Sequence, residues 1–232
     1  MTEIAKSSDV DHAYLESGEY IDNAHPDIGA FARRVAGDDA DSRAAAVKLY
    51  FAVRDEIPYD PYLPYDEPDT YRASAVLAAK RGYCVGKAAL LAAAARAHAI
   101  PARIAFADVR NHLTTPRLRE LMGGGDFIFH GIAELWLGGR WVKATPTFNL
   151  ALCEKFGIRP LDFDGREDAI LHPFDRAGRQ HMEYIRDRGS YVDVPVGLIM
   201  QAMISAYPRL AQLAKGRRGS FTREAERSAQ SN

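Results

Sequence analysis

The chain has 232 residues, of which 47% are hydrophobic and 26% are charged, and its formal net charge is −1. This composition is typical of globular domains, so it excludes wholesale disorder. The near-neutral charge excludes a protein whose whole surface attracts polyanions, and we expect no nucleic-acid partner. Two cysteines, Cys84 and Cys153, are too few for a disulfide-dense scaffold or a cysteine-rich zinc site.

The two ends of the chain differ in charge. Residues 1–27 carry seven acidic side chains and one basic one, whereas residues 209–232 carry six basic and two acidic ones. We interpret both as solvated ends, because six dispersed positive charges attract acidic surfaces or nucleic acid only weakly. The N-terminus lacks the pattern of a secretory signal, and no apolar run approaches the ~20 residues that cross a bilayer. We therefore expect a cytoplasmic protein with reduced thiols and no membrane partner.

The first half of the chain is predicted to be helical. Apolar residues recur at helical spacing over residues 27–36 and 41–56, and a short helix is expected from Ala73 to Lys80. Residues 85–99 are rich in alanine, the strongest helix former, so they predict a helix that begins just after Cys84.

The second half predicts strands. Residues 102–110 alternate with a period of two, and residues 127–137 and 140–145 form two further strands joined by the hairpin signal Gly138-Gly139. After residue 160 the chain is expected to be rich in loops, until a last helix over residues 195–213 that is interrupted near Pro208.

The order of elements, helices first and strands later, predicts a single α+β domain. We place this domain at residues 27–208, with a core at 27–150 and a C-terminal wrap at 151–208. An acidic leader, residues 1–26, and a basic, partly disordered tail, residues 209–232, would flank it.

Cys84 has the position of a reactive thiol. It precedes a predicted helix, where unpaired backbone N–H groups and the helix dipole stabilise a thiolate and lower the thiol pKa. The same N–H groups can receive the oxyanion that forms when a thiolate attacks a carbonyl. The alternative is a buried apolar thiol, which is the commoner role of a free cysteine. Cys153 has no companion Cys or His at ligand spacing, so we interpret it as a structural thiol.

A cysteine nucleophile needs a base, which is usually histidine. Of seven histidines, His12 and His25 lie in the acidic leader, and His98 lies more than ~15 Å from Cys84 along the predicted helix. His130 differs from these because it follows a glycine-rich loop and begins a strongly apolar strand. From the residues alone it is either the base or a hydrogen-bonded core histidine.

Two blocks of residues resemble the transglutaminase-like superfamily. The first block is Gly82-Tyr83-Cys84, a helix, and Arg96-Ala-His-Ala-Ile-Pro-Ala-Arg103, in which Ala99 stands where the family usually has glycine. The second block is His130-Gly-Ile-Ala-Glu134 followed by Trp141-Val-Lys-Ala-Thr-Pro-Thr147. Upstream, residues 53–60 are similar to the helix end that precedes this core in the family. The resemblance covers about residues 27–150.

The resemblance implies a papain-like fold, in which a cysteine at a helix N-terminus packs against an antiparallel sheet that supplies a histidine. By this resemblance, Cys84 is the nucleophile and His130 is the base and later the acid. The reaction would form a thioester with an acyl donor, which water or an amine would then attack.

The sequence departs from the family at the third catalytic position. The family's Asp, which orients the histidine, falls on Thr145, 15 residues after His130. Threonine can accept a hydrogen bond but supplies no negative charge. Asn149, Asp162 or Asp164 could take its place, or the site could be a dyad, or activity could have been lost.

We therefore expect a cysteine-dependent enzyme that acts on an amide or ester of a protein, peptide or small molecule, and hydrolysis is favoured over amine transfer. The alternative is a binding module that keeps the fold without the chemistry. No phosphate-binding loop, dinucleotide fingerprint, zinc-protease motif or calcium loop occurs in the sequence, so we expect no cofactor and no metal. Glu134 and Trp136 share a strand face with His130, either as a cleft wall or as sheet packing with an ion pair to Arg103 or Arg140.

Overall fold

The computed structural model describes residues 12–38 and 40–209. Within these ranges the chain forms seven α-helices and one four-stranded sheet. In chain order the elements are α1 (Pro26–Ala36), α2 (Ser42–Glu56), α3 (Ala73–Ala79), α4 (Cys84–Ala97), β1 (Ala102–Asn111), α5 (Pro116–Met122), β2 (Asp126–Leu137), β3 (Arg140–Ala144), α6 (Leu150–Phe156), β4 (Met182–Tyr191) and α7 (Val196–Ala206). The predicted α+β class is confirmed.

The sheet is antiparallel throughout, and its strands lie in the order β3-β2-β1-β4. β2 and β3 form the predicted hairpin, in which Ala133 pairs with Ala144. Its turn consists of Gly138 and Gly139, whose φ angles of 61° and 84° lie in the left-handed region that glycine adopts without steric cost. The hairpin therefore sets the register between the strand that carries His130 and the segment that follows β3.

Helix α4 is the centre of the fold. Every residue from Cys84 to Arg96 is buried, because the helix packs on β2 and β1 and is covered by α1, α2 and α3. A helix with small apolar side chains on all faces is typical of such a core position. Cys84, the first residue of α4, is therefore held by a helix that is buried along nearly its whole length.

Lys87 is a charged side chain inside this core and is fully buried. Its Nζ donates hydrogen bonds to the carbonyl oxygens of Arg54 at 2.9 Å and Ile57 at 2.5 Å. These two carbonyls belong to the end of α2, where the last carbonyls of a helix lack partners within the helix. Lys87 thus joins α4 to the end of α2. Burial lowers the pKa of Lys87 to about 7.

Most predicted elements are confirmed, but three were missed. The short helices α5 and α6 were not predicted, and the interpretation of the chain after residue 160 as loops is wrong for β4. β4 pairs with β1 along its length, so the C-terminal wrap supplies an edge strand to the sheet. The predicted last helix is confirmed as α7, and its proposed extension to residue 213 lies partly outside the described residues.

The acidic leader is packed where it can be described, so its interpretation as a solvated end is wrong for this part. Ile21 is fully buried, and the carboxylate of Asp193 accepts the backbone N–H groups of Glu19 at 2.7 Å, Tyr20 at 3.1 Å and Ile21 at 2.8 Å. Asp193 therefore ties the leader to the loop after β4. Residues 1–11 and 210–232, which include nearly all of the basic tail, lie outside the described residues.

The turn from α4 into β1 contains an alanine in an unusual conformation. Ala99 has φ 58°, in the left-handed region where a Cβ is disfavoured. This is the position at which the resembling family usually has glycine, so the backbone of the turn has been kept although the residue has changed.

Arg103 organises the outer face of the hairpin. Its Nε donates to Oε2 of Glu134 at 2.5 Å, which confirms the ion pair considered from the sequence, whereas Arg140 contacts Glu167. The guanidinium of Arg103 also lies 4.2 Å from the ring centre of Trp141. Trp141 in turn packs edge-to-face on Trp136, with ring centres 5.3 Å apart.

Candidate active site

Cys84 is placed where the sequence predicted it, at the N-terminus of a helix. Tyr83 is the N-cap residue and has extended backbone angles, and its side chain makes no capping hydrogen bond. The first N–H groups of α4 are therefore available to a group bound at this end. Cys84 has little contact with solvent, since the residue is only 9% exposed.

Gly131 brings the histidine-bearing strand directly onto this helix end. A Cβ on Gly131 would lie 2.7 Å from Cα of Val85, 3.1 Å from its backbone nitrogen and 3.2 Å from the carbonyl oxygen of Cys84. Such distances are too short for a real Cβ, so only glycine permits this approach of backbone to backbone. Because Gly131 follows His130 in β2, the fold brings the backbones of Cys84 and His130 together.

The thiol of Cys84 is subject to two opposing effects. Burial raises its pKa to about 11, while the backbone N–H groups of Gly131, Val85 and Cys84 itself favour the thiolate and lower the pKa. The predicted effect of the helix N-terminus is thus present, but the expectation of a lowered thiol pKa is wrong because burial outweighs it. The resting thiol is neutral.

Tyrosine side chains surround the thiol. Tyr59, Tyr65, Tyr71 and Tyr83 are all buried, and each experiences the electrostatic influence of Cys84. Tyr83 packs edge-to-face on Tyr65 and Tyr71, with ring centres 5.1 Å and 5.7 Å apart. These rings exclude water from the thiol, which is the physical cause of its raised pKa. The sequence analysis missed this cluster, and the tyrosines that flank Pro61, Pro64 and Gly82 share no spacing that would have revealed it.

His130 is buried in β2 and is 4% exposed. Burial lowers the pKa of its imidazole to about 4, so the ring is neutral at ordinary pH. Among the described residues, Nε2 of His130 has no hydrogen-bond partner. His130 therefore has at least one ring nitrogen that no described residue occupies.

The strand is fixed just before His130. Phe129 has φ 52°, which is unusual for a bulky residue, and its N–H donates to Oδ1 of Asp108 at 3.1 Å. The same carboxylate oxygen accepts Nε of Arg188 at 2.5 Å. Backbone strain of this kind persists only where surrounding contacts hold it, and here it lies at the residue just before His130.

Thr145 makes no side-chain hydrogen bond to His130 in the described chain. Its hydroxyl is buried and has no hydrogen bond to any described residue, although it lies close enough to Tyr184 to influence that pKa. It lines a small cavity with Cys153, His172 and His181, and this cavity does not include His130. The family's third position is thus occupied by a buried hydroxyl that makes no hydrogen bond to the described residues.

The other candidates for the third position are engaged elsewhere. Oδ1 of Asn149 accepts the N–H of Tyr59 at 3.4 Å. The side chain of Asp162 is 91% exposed, and the carboxylate of Asp164 accepts backbone N–H groups of its own loop. None of the three makes a hydrogen bond to His130 in the described chain. Cys153 is buried and its thiol faces the carbonyl oxygen of Phe148 at 3.7 Å, as a structural thiol would.

Two further findings concern the described residues only. Nowhere in residues 12–38 and 40–209 do three or more His, Cys, Asp or Glu side chains form a group that could hold a metal ion. None of the helices in these ranges is both long and apolar enough to cross a membrane.

Comparison with known proteins agrees with this geometry. The sequence model of the Transglutaminase-like superfamily matches residues 29–146, which is about half of the chain and includes Cys84 and His130. The sequence has no match among the curated proteins.

One solved structure extends the comparison beyond the matched segment. It is the crystal structure of a candidate cysteine protease from Cytophaga hutchinsonii, with 15% sequence identity and a TM-score of 0.51. The alignment covers 82% of this chain but only 51% of that protein, so the chain spans about half of its length. At this level of identity the likeness concerns the fold.

Proposed function

Because the chain belongs to the transglutaminase-like superfamily, we propose that it is a cysteine-dependent acyl-transfer enzyme. Cys84 is the proposed nucleophile, and His130 is the proposed base and acid. The acyl donor is an amide or ester of a protein, peptide or small molecule, and water is the proposed acceptor.

One observation carries this proposal. The thiol of Cys84 lies at the first turn of α4, and the N–H of Gly131, next to His130, lies beside its sulfur. Nucleophile, base-bearing strand and backbone N–H donors thus converge on one point. These are the parts that acyl transfer requires, since the N–H groups can stabilise both the thiolate and the oxyanion of a tetrahedral intermediate.

The reaction begins from neutral partners. As Sγ of Cys84 attacks the substrate carbonyl, the thiol proton passes to Nδ1 of His130, and the carbonyl oxygen becomes an oxyanion near the N–H groups of α4. Collapse of this intermediate expels the amine or alcohol, which takes the proton from His130. Water then attacks the thioester, gives its proton to His130, and releases the acid while Cys84 recovers its proton.

Hydrolysis is favoured by the structural relative, which is named as a candidate cysteine protease. The same site would serve amine transfer if an amine reached the thioester before water. The tyrosine cluster around Cys84 restricts access, so the acceptor is selected by what can pass these rings.

A non-catalytic binding module is the second candidate. The raised thiol pKa, the lowered imidazole pKa and the lack of a hydrogen bond from Thr145 to His130 favour it, because each weakens the activation of Cys84. The two candidates differ in whether Cys84 forms an acyl-enzyme.

The decisive experiment is acylation with p-nitrophenyl acetate, followed by intact-mass and peptide-mass analysis. We expect a single acetyl group on Cys84, no adduct in Cys84→Ala, and slower formation in His130→Ala. Cys153→Ser is the matched control, because Cys153 is also buried and its pKa is also raised to about 11. This variant should be acetylated like the wild type. Equal labelling of both cysteines, or none on Cys84, would refute the enzyme proposal.

Alkylation by iodoacetamide tests the protonation state. With a thiol pKa near 11, the rate at Cys84 should rise about tenfold per pH unit from pH 7 to 10, because the thiolate fraction does so. A plateau near neutral pH would mean that a thiolate–imidazolium pair forms before substrate binds, contrary to the neutral state proposed here.

A further inference from the structure

A small cavity lies beside His130. Its volume is about 20 Å³, and its polar lining includes Thr114, His130 and Thr147, with Tyr59, Asn111 and Phe148 among the other walls. All three of the first group are at least nine-tenths buried. The cavity is distinct from the one that Thr145 lines.

Three residues of this lining each have one buried polar side-chain atom that lacks a hydrogen-bond partner in the described part of the chain. These atoms are Nε2 of His130, Oγ1 of Thr147 and Oγ1 of Thr114. A buried polar atom without a hydrogen bond costs roughly 1–3 kcal/mol, so three on one cavity wall require a common explanation.

Thr147 lies just beyond the β2–β3 hairpin. The hairpin pairing ends where Ala133 pairs with Ala144, and the backbone N–H of Thr145 donates instead to the carbonyl oxygen of Ala169 at 3.0 Å. Thr147 lines the cavity that His130 also lines, and Thr145 is not among its lining residues.

The size of the cavity fits one water molecule, and three of its otherwise mostly apolar lining residues carry unpartnered polar atoms. A buried water needs at least ~10–15 Å³ and two to four polar partners, and cavities that stay dry are lined by apolar groups. The three unpartnered atoms have complementary capacities, because an imidazole N–H donates and two hydroxyl oxygens accept.

We propose that a buried water molecule, held by Thr147 and Thr114, binds Nε2 of His130 and takes the place of the family's third catalytic group. The proposal rests on the assignment of His130 as the base. Thr147 and Thr114 are therefore positioning residues that act on the histidine through the water.

The hydrogen bonds follow from the tautomer that the chemistry needs. For Nδ1 to take the thiol proton, the neutral ring must carry its hydrogen on Nε2. This N–H donates to the water oxygen, and the two water hydrogens are donated to Oγ1 of Thr147 and Oγ1 of Thr114. The ring is held in orientation and tautomer, as an aspartate would hold it, but no negative charge is added to stabilise imidazolium.

Two measurements on the full chain test the water directly. A high-resolution crystal structure should contain a water within hydrogen-bond distance of Nε2 of His130 and both hydroxyls. Long-range ¹H–¹⁵N spectra should show His130 as the Nε2-protonated tautomer. A dry cavity, a direct bond from Nε2 to Oγ1 of Thr147, or the Nδ1-protonated tautomer would overturn the proposal.

Variants separate positioning from general stability. Thr147→Val should lower kcat for ester hydrolysis about 3–10-fold, the cost of one hydrogen bond, with KM unchanged and a mixed tautomer at His130. Thr147→Ser should restore both. Thr70→Val loses a buried hydroxyl bond to Pro64, 2.7 Å long and outside this cavity, so it should alter neither readout. If Thr145→Val shifts the tautomer and Thr147→Val does not, the assignment is refuted.

Failure of the water and failure of the enzyme proposal give different results. If the water is present and Cys84 forms no acyl-enzyme, this inference stands as a structural statement while the proposed function falls. If Cys84 is acylated and the cavity is dry, the function stands and the water-mediated contact is refuted.

Discussion

Replacing Gly131 with alanine is expected to separate β2 from the start of α4. The added Cβ would lie 2.7 Å from Cα of Val85, whereas ordinary contact begins near 3.4 Å, so the strand must withdraw by about 0.7 Å. The obstacle is backbone, which cannot rotate away as a side chain does. Overpacking of this kind costs about 1–3 kcal/mol, which in a protein of this size lowers Tm by about 2–12 °C.

The same displacement should affect the thiol. The N–H of Gly131 lowers the pKa of Cys84, and moving it away leaves burial less opposed, so the pKa should rise further above its present value. Acylation of Cys84 in Gly131→Ala should therefore be slower than in the wild type even at temperatures where both are folded. Stability and reactivity are expected to fall together, because one contact serves both.

Thermal denaturation and the p-nitrophenyl acetate assay measure the two effects. Gly124→Ala is the matched control, since no heavy atom outside its neighbours lies within 4 Å of a Cβ at that position. It should stay within about 0.5 kcal/mol of the wild type and keep its acylation rate. If Gly131→Ala matched Gly124→Ala in both assays, the close contact between β2 and α4 would not exist in solution.

The remaining predictions concern stability. His130 and His181 are buried, and their pKa values are lowered to about 4. As the pH falls below 6.5, these histidines become protonated in the unfolded chain but stay neutral in the folded one. The free energy of unfolding should therefore drop by about 2 kcal/mol per histidine between pH 7 and 5. The pKa of Lys87 is lowered from 10.5 to about 7, so between these values the unfolded chain binds a proton that the folded chain does not. The free energy of unfolding should therefore rise by up to about 1.4 kcal/mol per pH unit from pH 7 to 10, and Lys87→Met should lack this rise. Ala99→Gly should stabilise the protein by about 1 kcal/mol, because glycine adopts φ 58° without the Cβ penalty.

Urea denaturation across pH checks all three. The variants His130→Gln and His181→Gln should each lose their part of the acid slope, while His12→Gln, at a side chain 84% exposed, should not. An unchanged slope in both buried variants would contradict the neutral burial of these rings.

Lys48→Met should keep the alkaline rise that Lys87→Met loses. Ala30→Gly, on the exposed face of α1, should destabilise the protein by about 0.5–1 kcal/mol, whereas Ala99→Gly should stabilise it. If both variants changed stability in the same direction, the φ angle of Ala99 would not be the cause.

Elements with strong periodicity could be predicted from the sequence, and those without it could not. Alanine content predicts helix α4, and apolar alternation with the Gly138-Gly139 turn predicts the β2–β3 hairpin. β4 was missed because its residues from Glu183 to Asp187 are exposed and mostly charged or polar, with no alternation to detect. It is an edge strand held by backbone pairing to β1, and charged edges of this kind discourage unwanted pairing with other chains.

The site shows the same division between local and tertiary information. The position of Cys84 at a helix start is local, and the sequence predicts it. The raised thiol pKa depends on tyrosines from residues 59 to 83 closing around the sulfur, which no local pattern encodes. The proposed role of Thr147 in place of Thr145 depends on which cavity each residue lines. Spacing carried over from a family identifies the segment, but it does not show which cavity each residue lines.

The edge-to-face pair of tryptophans makes the histidine-bearing strand visible by fluorescence. Trp136 and Trp141 are the only two tryptophans in the chain, and both lie on the hairpin whose first strand carries His130. Emission excited at the indole band therefore comes from this hairpin alone, although tyrosines are spread through the helices. Because the guanidinium of Arg103 lies over Trp141, separation of the strands would expose that ring to water and shift its emission. The natural chain thus contains an optical reporter, six residues from His130, for the opening of the sheet on which the proposed chemistry depends.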